Sequence, residues 1–436
     1  MKKLKLVAIL ACALVLSVVV GARAAETEGN ELRPIGFDIT ADSMLSGTAL
    51  DKAIQEGELK GEAGVYFEGT DPDDPDPAGA VGEGEDADYF FGTGYIEMAF
   101  ESASVNGLQF GIGGIAVNQI WWDHEEWDVP TADWVNGDDY TDNYDDDAAL
   151  NEAFIRYSFP NTKSSVLVGR KKFKKSAVMD GDFHQGFEIA VKDPQMVDVY
   201  FSAVEEWADD SGADEIGGES EMDELNDAGN WGYSLMAVIS GDNFSVMPFV
   251  HRHEDVVLVY GLEAEGKVEM DENMSISFGG TWSEHNEDTP SSISSTDEDW
   301  NQYLLECKVR IGQASIGAGY YYLDDEVVNA PNGTGLFQDD FAPMEEIGGW
   351  ADTSTYFLKL GYDFGALEIG MAYGIADDDR DDTGQTDSDA HEIDLEIEAD
   401  ITDRVAFEVL YADVNFDEDD QNNDYGYWEG GVSVSF

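Results

Sequence analysis

The sequence predicts an all-β chain closed into an antiparallel transmembrane barrel of about 18 strands, with about 16 as the alternative count. Three observations predict it. The chain opens with a cleavable export segment, its strand-length runs alternate apolar and polar residues, and its connections alternate between tight turns and long acidic loops.

The export segment comes first. Lys2, Lys3 and Lys5 form a basic start, an apolar run follows from Leu6 to Val20, and Ala22-Arg23-Ala24 offers a small-residue cleavage site. The apolar run is shorter than the ~20 residues that a membrane-spanning helix needs. Residues 1–24 are therefore expected to be a secretory signal peptide. Cys12 sits too early, inside the apolar run, to mark a lipid-attachment site. Residues 25–56 precede the first convincing strand and are expected to form either an N-terminal periplasmic segment or a short plug. Residues 57–436 are expected to form the barrel.

Composition narrows the function classes. The chain has 22 basic and 94 acidic residues, a formal charge of −72. Residues 1–24 hold four of the basic residues and no acid, which leaves 18 basic residues and −76 on the mature chain. Such a surface repels phosphates and excludes nucleic acid as a partner. Aromatic content of 12% and hydrophobic content of 42% oppose disorder. Loss of Cys12 leaves Cys307 alone, so no internal disulfide forms.

The alternation is clearest from His391 to Ile401. Ile393, Leu395, Ile397, Ala399 and Ile401 share one face; Glu392, Asp394, Glu396, Glu398 and Asp400 share the other. A soluble sandwich and a membrane barrel both produce this pattern, and the connections decide between them. Tight turn signals fall at Asn106-Gly107, Pro160-Asn161-Thr162, Asp193-Pro194-Gln195, Gly241-Asp242-Asn243, Asp271-Glu272-Asn273, Ile311-Gly312, Asp363-Phe364-Gly365 and Thr402-Asp403. Between them lie mostly long acidic stretches, such as 69–88, 123–149, 206–230, 324–352 and 377–390. Barrels of the bacterial outer membrane segregate short periplasmic turns from long external loops in this way.

Strands are expected to begin near Gly57, Tyr89, Leu108, Leu150, Lys163, His184, Gln195, Trp231, Asn243, Asp255, Asn273, Asn301, Gln313, Thr353, Ala366, His391, Arg404 and Tyr425. The weakest hairpin meets at His253-Glu254, and losing it would lower the count. The chain closes on Val432, Val434 and Phe436 on one face, and a final strand ending in Phe436 fits an outer-membrane assembly signal. Trp121, Trp122, Trp207, Trp231, Tyr320, Tyr321, Tyr322, Tyr411, Tyr427 and Trp428 gather at strand ends and fit two interfacial girdles.

Candidate chemistry is sparse. His251 and His253 share a strand face beside Glu254, a metal-ligand spacing that is equally a feature of the rim at an external loop; the rim reading is preferred, and no metal or other cofactor is expected. Acidic clusters such as Asp71-Pro72-Asp73-Asp74, Asp377-Asp378-Asp379 and Asp417-Glu418-Asp419-Asp420 leave weak calcium binding open. No catalytic constellation stands out, and no enzyme activity is expected. The most informative cluster is basic: Arg170, Lys171, Lys172, Lys174 and Lys175 open the third outer loop. At a constriction they would stabilise passing anions. Alternation also points Arg156, Lys308, Arg310 and Lys359 toward the lumen, opposite an acidic wall of Glu392, Asp394, Glu396 and Glu398.

The stretch Leu150-Asn151-Glu152-Ala153-Phe154 through Tyr157, then Asn161-Thr162 and Val168-Gly169-Arg170, resembles the "EAYLxYxxxNTxxxVGRQ" segment of OprD-like porins. Gln185-Gly186-Phe187-Glu188 stands where that family often closes its third loop. His391-Glu392-Ile393-Asp394-Leu395, Tyr411-Ala412-Asp413-Val414 and the closing strand are similar too. The resemblance implies an 18-stranded barrel in the outer membrane of a Gram-negative bacterium, often trimeric, with a basic ladder that passes anionic or carboxylate-bearing solutes. Lys171-Lys172-Phe173 replaces the family's Gln-Glu-Leu, so the solute class does not carry over. A passive porin for small hydrophilic solutes is the leading expectation. Its partners would be lipid, lipopolysaccharide, the barrel-assembly machinery and, as a homotrimer, further copies of the chain. A structural or adhesive barrel, or a barrel sheathing an electron-transfer conduit, are the alternatives.

Overall fold

The computed structural model describes residues 47–72, 89–124, 147–179, 183–192, 197–208, 223–224, 231–253, 257–287, 299–324, 344, 353–378, 390–416 and 425–436. The export segment and most of the long acidic loops lie outside these residues. One helix, α1 (Gly47–Gln55), carries Leu50 and Ile54 exposed.

The remaining elements are strands. They run as β1 (Glu58–Pro72), β2 (Tyr89–Glu101), β3 (Leu108–His124), β4 (Asp147–Ser158), β5 (Ser165–Lys171) and β6 (Phe183–Lys192). Next come β7 (Val197–Ala208), the two-residue β8 (Asp223–Glu224), β9 (Gly232–Ser240), β10 (Phe244–His253), β11 (Val257–Asp271) and β12 (Met274–Glu287). The last seven are β13 (Asp299–Ile311), β14 (Ala314–Leu323), β15 (Thr353–Asp363), β16 (Leu367–Asp378), β17 (Ala390–Thr402), β18 (Val405–Phe416) and β19 (Tyr425–Ser435).

Neighbours in sequence pair antiparallel all the way round, and β1 pairs with β19 from Glu62↔Ser435 to Pro72↔Tyr425. The seam extends one residue further, because Phe436 and Gly61 exchange backbone hydrogen bonds at 2.9 and 3.1 Å. β8 touches only the end of β7, which otherwise pairs directly with β9. The ring therefore has 18 spanning strands. The doubtful hairpin is real: β10 and β11 stay in register from Phe244↔Gly266 to His253↔Val257. Closure leaves no strand edge in the bilayer, where an unpaired backbone amide has no water to bond.

The tight turns are built by the residues that signalled them. Asn106 and Gly107 both have positive φ, 54° and 86°, between Val105 and Leu108, which exchange backbone hydrogen bonds. Elsewhere a side chain caps the bend: Asp271 accepts from the Asn273 amide at 2.8 Å, and Asp363 from the Gly365 amide at 2.7 Å.

Register aligns like faces. Leu395 lies opposite both Met371 and Tyr411, whereas Glu398 lies opposite both Glu368 and Glu408. The apolar row is exposed on the outside, as lipid requires, and the carboxylate row lines the lumen. Outward tyrosines cluster on β13–β15, with Tyr303 and Tyr322 stacked at 5.0 Å and Tyr320 and Tyr356 in tilted contact at 4.8 Å. Tyr362 and Phe364 pack at 4.4 Å at the periplasmic end of β15. The predicted girdle is corrected at two positions. Tyr321, between two outward tyrosines, must point inward and is buried, and Tyr427 donates to the lumenal Glu429 at 2.8 Å.

Cys307 and Leu358 also face outward, Leu358 near the middle of its strand. Leu358→Arg should cost about 2–4 kcal/mol of barrel stability, as expected for a basic side chain at the bilayer midplane. Glu396→Arg, on the lumenal face, should cost far less. Urea unfolding in lipid vesicles checks the contrast, and equal losses would refute the assigned faces.

Candidate functional site

The third outer loop leaves β5 after a backbone distortion. Gly169 has φ +120°, and a Cβ there would stand 2.2 Å from the Ala153 carbonyl oxygen, so glycine alone fits without strain. β5 ends two residues later, and residues 172–179 run along the inner wall. Phe173, Val178 and Met179 are buried against Phe154, Leu167, Val204, Met236, Met247, Phe249 and Val259. By strand alternation all seven wall residues face the lumen. The apolar underside of the loop and an apolar sector of the wall, from β4 to β11, thus remove each other from water.

Polar contacts fix the loop along its length. The Lys174 amide donates to Glu188 Oε2 at 2.8 Å, and the Ala177 amide donates to Glu263 Oε1 at 2.5 Å. Ser176 Oγ lies 2.6 Å from His251 Nε2. His251 stacks on Phe249 at 5.0 Å, and His184 stacks on Phe173 at 5.6 Å. At the loop's start, Lys171 Nζ meets Glu101 at 2.5 Å and Glu152 at 3.0 Å and sits 4.3 Å from the centre of the Phe154 ring. These carboxylates come from β2, β4, β6 and β11, so the loop is tied across much of the inner wall.

The predicted basic residues separate into distinct environments. Arg156 faces the lumen, 5.2 Å from the centre of the Phe154 ring, and donates to Gln109 at 3.3 Å. Lys172 and Lys174 are exposed on the loop, Lys172 lying 4.8 Å from the centre of the Phe183 ring; Lys175 is half-buried. Lys308 and Lys359 face the lumen on β13 and β15, each opposite Gly317 on β14. One expectation is corrected. Arg170 shares the outer face with the exposed Val168 and donates to the Leu150 carbonyl at 2.8 Å and to Gln185 at 3.0 Å; alternation that sends Lys171 inward sends Arg170 outward. Arg310 keeps the lumenal parity of Lys308 and pairs with Asp363 at 3.1 Å beside the periplasmic turns, away from the third loop.

The acidic wall is divided by depth. Glu392 and Asp394, on the external half of β17, are buried, whereas Glu396 and Glu398 stand exposed. Met344, from the connection between β14 and β15, packs above them with Phe357, Ala372, Ala376, Ala390 and Val414. In strand order, β17 lies half the circumference away from β7 and β9, at the centre of the third loop's seat. His251 and His253 stand at the external end of β10 and are buried on the lumenal face, where alternation carries them inward with Phe249. Among the described residues, no group of His, Cys, Asp or Glu side chains converges as a metal site.

Glu101, Glu152, Glu188, Glu263, Ser176 and His251 hold the loop without having been expected to. A signal for them exists in β9 and β10. GYSLMAVIS and FSVMPFVHRH carry large apolar residues on both faces, unlike the strict alternation of β17. A lumenal face that is apolar must be covered by something, and the apolar Phe173, Val178 and Met179 are what covers it.

Val178→Asp would bury a carboxylate in this cluster, a cost of several kcal/mol that ejection of the loop relieves. Trypsin, too large to enter the barrel, should then cleave after Lys172, Lys174 or Lys175 from the external side of intact membranes. The unaltered chain should resist at these sites, and identical digestion patterns would refute the packing.

Comparisons with known proteins agree with this architecture. Residues 79–420 match the model of a family described as Gram-negative porin. The outer membrane protein OprD of Pseudomonas aeruginosa superposes with a TM-score of 0.64 at 12% identity, over 88% of this chain and 94% of that one. OccAB1 of Acinetobacter baumannii gives 0.67 at 12% identity, over 88% and 97%. OpdO of Pseudomonas aeruginosa gives 0.63 at 14% identity, over 89% and 99%. No curated protein matches the chain in sequence. At such identities the likeness establishes the fold, and the family match establishes descent: the chain belongs to the Gram-negative porins, channel proteins of the outer membrane, and its barrel has the OprD-like fold.

Proposed function

We propose that this porin is a passive diffusion channel for small hydrophilic solutes, whose path runs between the basic third loop and the acidic wall facing it. The carrying observation is the loop itself. Residues 172–179 lie inside the barrel, tied to β6, β10 and β11, with Lys172 and Lys174 exposed. Half the circumference away, Glu368, Glu396, Glu398 and Glu408 stand exposed on the lumenal faces of β16, β17 and β18. Basic groups on one side and carboxylates on the other create a transverse field, which orients a dipolar solute as it passes. The reading needs no cofactor and no reacting step.

Three partners belong to the same proposal. The closing strand ends on an exposed Phe436, a hydrophobic terminus suited to the barrel-assembly machinery. The outward apolar band and tyrosine clusters suit lipid and lipopolysaccharide, and assembly as a homotrimer follows the family resemblance.

Reconstitution of the purified chain in planar lipid bilayers tests the channel: unitary conductance steps are expected. A silent bilayer with a folded barrel would favour a structural or electron-conduit barrel instead. The Lys172→Gln/Lys174→Gln/Lys175→Gln variant should shift the zero-current potential in a salt gradient toward cation preference. Lys171→Gln, which removes an already paired ammonium, should change selectivity less. Unchanged selectivity in the triple variant would exclude the loop as the filter.

A further inference from the structure

Away from the third loop, the wall formed by β18, β19, β1, β2 and β3 contains a recess that shares only Glu408 with the transverse arrangement. It is a cavity of about 220 Å³, lined by Glu62, Glu97, Glu408, Tyr66, Tyr95 and Ile115, with Gly431 and Ser433 behind them. We propose that this recess is a binding site for the ammonium group of small organic cations, so that the channel admits alkylammonium solutes specifically. The proposal rests on the porin reading and deepens it.

Register explains how the recess forms. On the lumenal face Tyr66 lies opposite Gly431, which lies opposite Glu408; one step away, Gly64 lies between Ser433 and Tyr95. Small residues at the centre of this patch leave the wall indented, and larger ones surround it. A Cβ on Gly431 would stand 3.5 Å from Glu408 Oε1 and 3.9 Å from Tyr66 Cδ2, so any longer side chain there would enter the space. Tyr95 folds across Gly64, where a Cβ would stand 2.6 Å from its ring.

The chemistry of the lining selects the ligand. Glu62 and Glu97 are directly opposed across β1 and β2, an arrangement in which two carboxylates repel each other and a cation between them is favoured. Tyr95 donates its hydroxyl to Glu62 at 2.6 Å, and Tyr66 donates to Glu429 at 2.7 Å. Both hydroxyls are thereby committed to carboxylates, which leaves the ring surfaces to line the space. Carboxylates with aromatic rings suit a compact organic cation, through charge-assisted hydrogen bonds and cation–π attraction. Ile115 adds an apolar surface for an alkyl chain. A bare metal ion gains nothing from two rings and an isoleucine, because hard cations bind oxygen.

Single-channel recording on the lipid-reconstituted barrel tests the site, with butylammonium chloride as blocker and sodium butyrate as its anionic counterpart. Butylammonium should interrupt the potassium chloride current in a concentration-dependent manner, and butyrate should not. Glu62→Gln/Glu97→Gln/Glu408→Gln should weaken the block by roughly 10–100-fold, the loss expected when charged hydrogen-bond partners are removed. Gly431→Leu, which fills the recess while keeping every carboxylate, should weaken it similarly. Glu306→Gln, a lumenal carboxylate on β13 outside the recess, should leave it within about twofold. Heat-modifiable electrophoretic migration establishes that each variant is folded; if Gly431→Leu fails to fold, the charge variants alone decide. Open channels that butylammonium does not block, or whose block survives the triple substitution or is weakened as much by Glu306→Gln, overturn the proposal and leave the porin reading intact. A folded barrel that never conducts overturns both.

Discussion

Every feature of this molecule depends on the requirement that backbone amides inside a bilayer be hydrogen-bonded within the protein. Open sheets cannot meet it, because their edge strands present unpaired groups. The β1–β19 seam meets it, and the exchange between Gly61 and Phe436 carries the pairing to the last residue. Once the ring is closed, each side chain has only two destinations, lipid or lumen. That binary choice makes Leu358 an outward residue, Lys359 an inward one, and Tyr321 a lumenal residue between two outward tyrosines.

The lumen is not uniform. From β4 to β11 its wall is apolar and covered by the third loop; from β16 round to β2 it is lined with carboxylates and tyrosines. The apolar sector buries Phe173, Val178 and Met179, and this burial brings the loop amides within reach of Glu188 and Glu263. Hydrophobic contact is non-directional, so it selects the wall but not the position. The charge-assisted bonds to Lys174 and Ala177, and the contact between Ser176 and His251, set the position. The same carboxylate type therefore does two things here: under the loop it fixes backbone, and on the far wall it faces the aqueous path.

Lys171 illustrates why a basic cluster in sequence is not a basic surface in space. Five basic residues stand within 170–175, yet they divide among three environments. Arg170 turns outward to Gln185 and the Leu150 carbonyl. Lys171 is neutralised by Glu101 and Glu152, residues 70 and 19 positions away along the chain. Lys172 and Lys174 stand exposed on the loop, with Lys175 half-buried beside them. The strand's period of two separates Arg170 from Lys171, and pairing with distant strands supplies the counter-charges.

Much of the fold was legible in the sequence because its rules are local. Export, alternation, turn residues and loop parity each operate within a few residues, and Tyr89, Leu108, Thr353 and Tyr425 begin their strands where those rules place them. The lumenal face of Glu396 and Glu398 followed from the same rules. What the tertiary structure decided was everything that depends on two strands far apart in sequence meeting across the barrel. The burial of His251 and His253, the pairing of Lys171, the seat of the third loop and the recess between Glu62, Glu97 and Glu408 are all of this kind. Closure of the ring sets which residues share a height and a wall, and no local pattern carries that information.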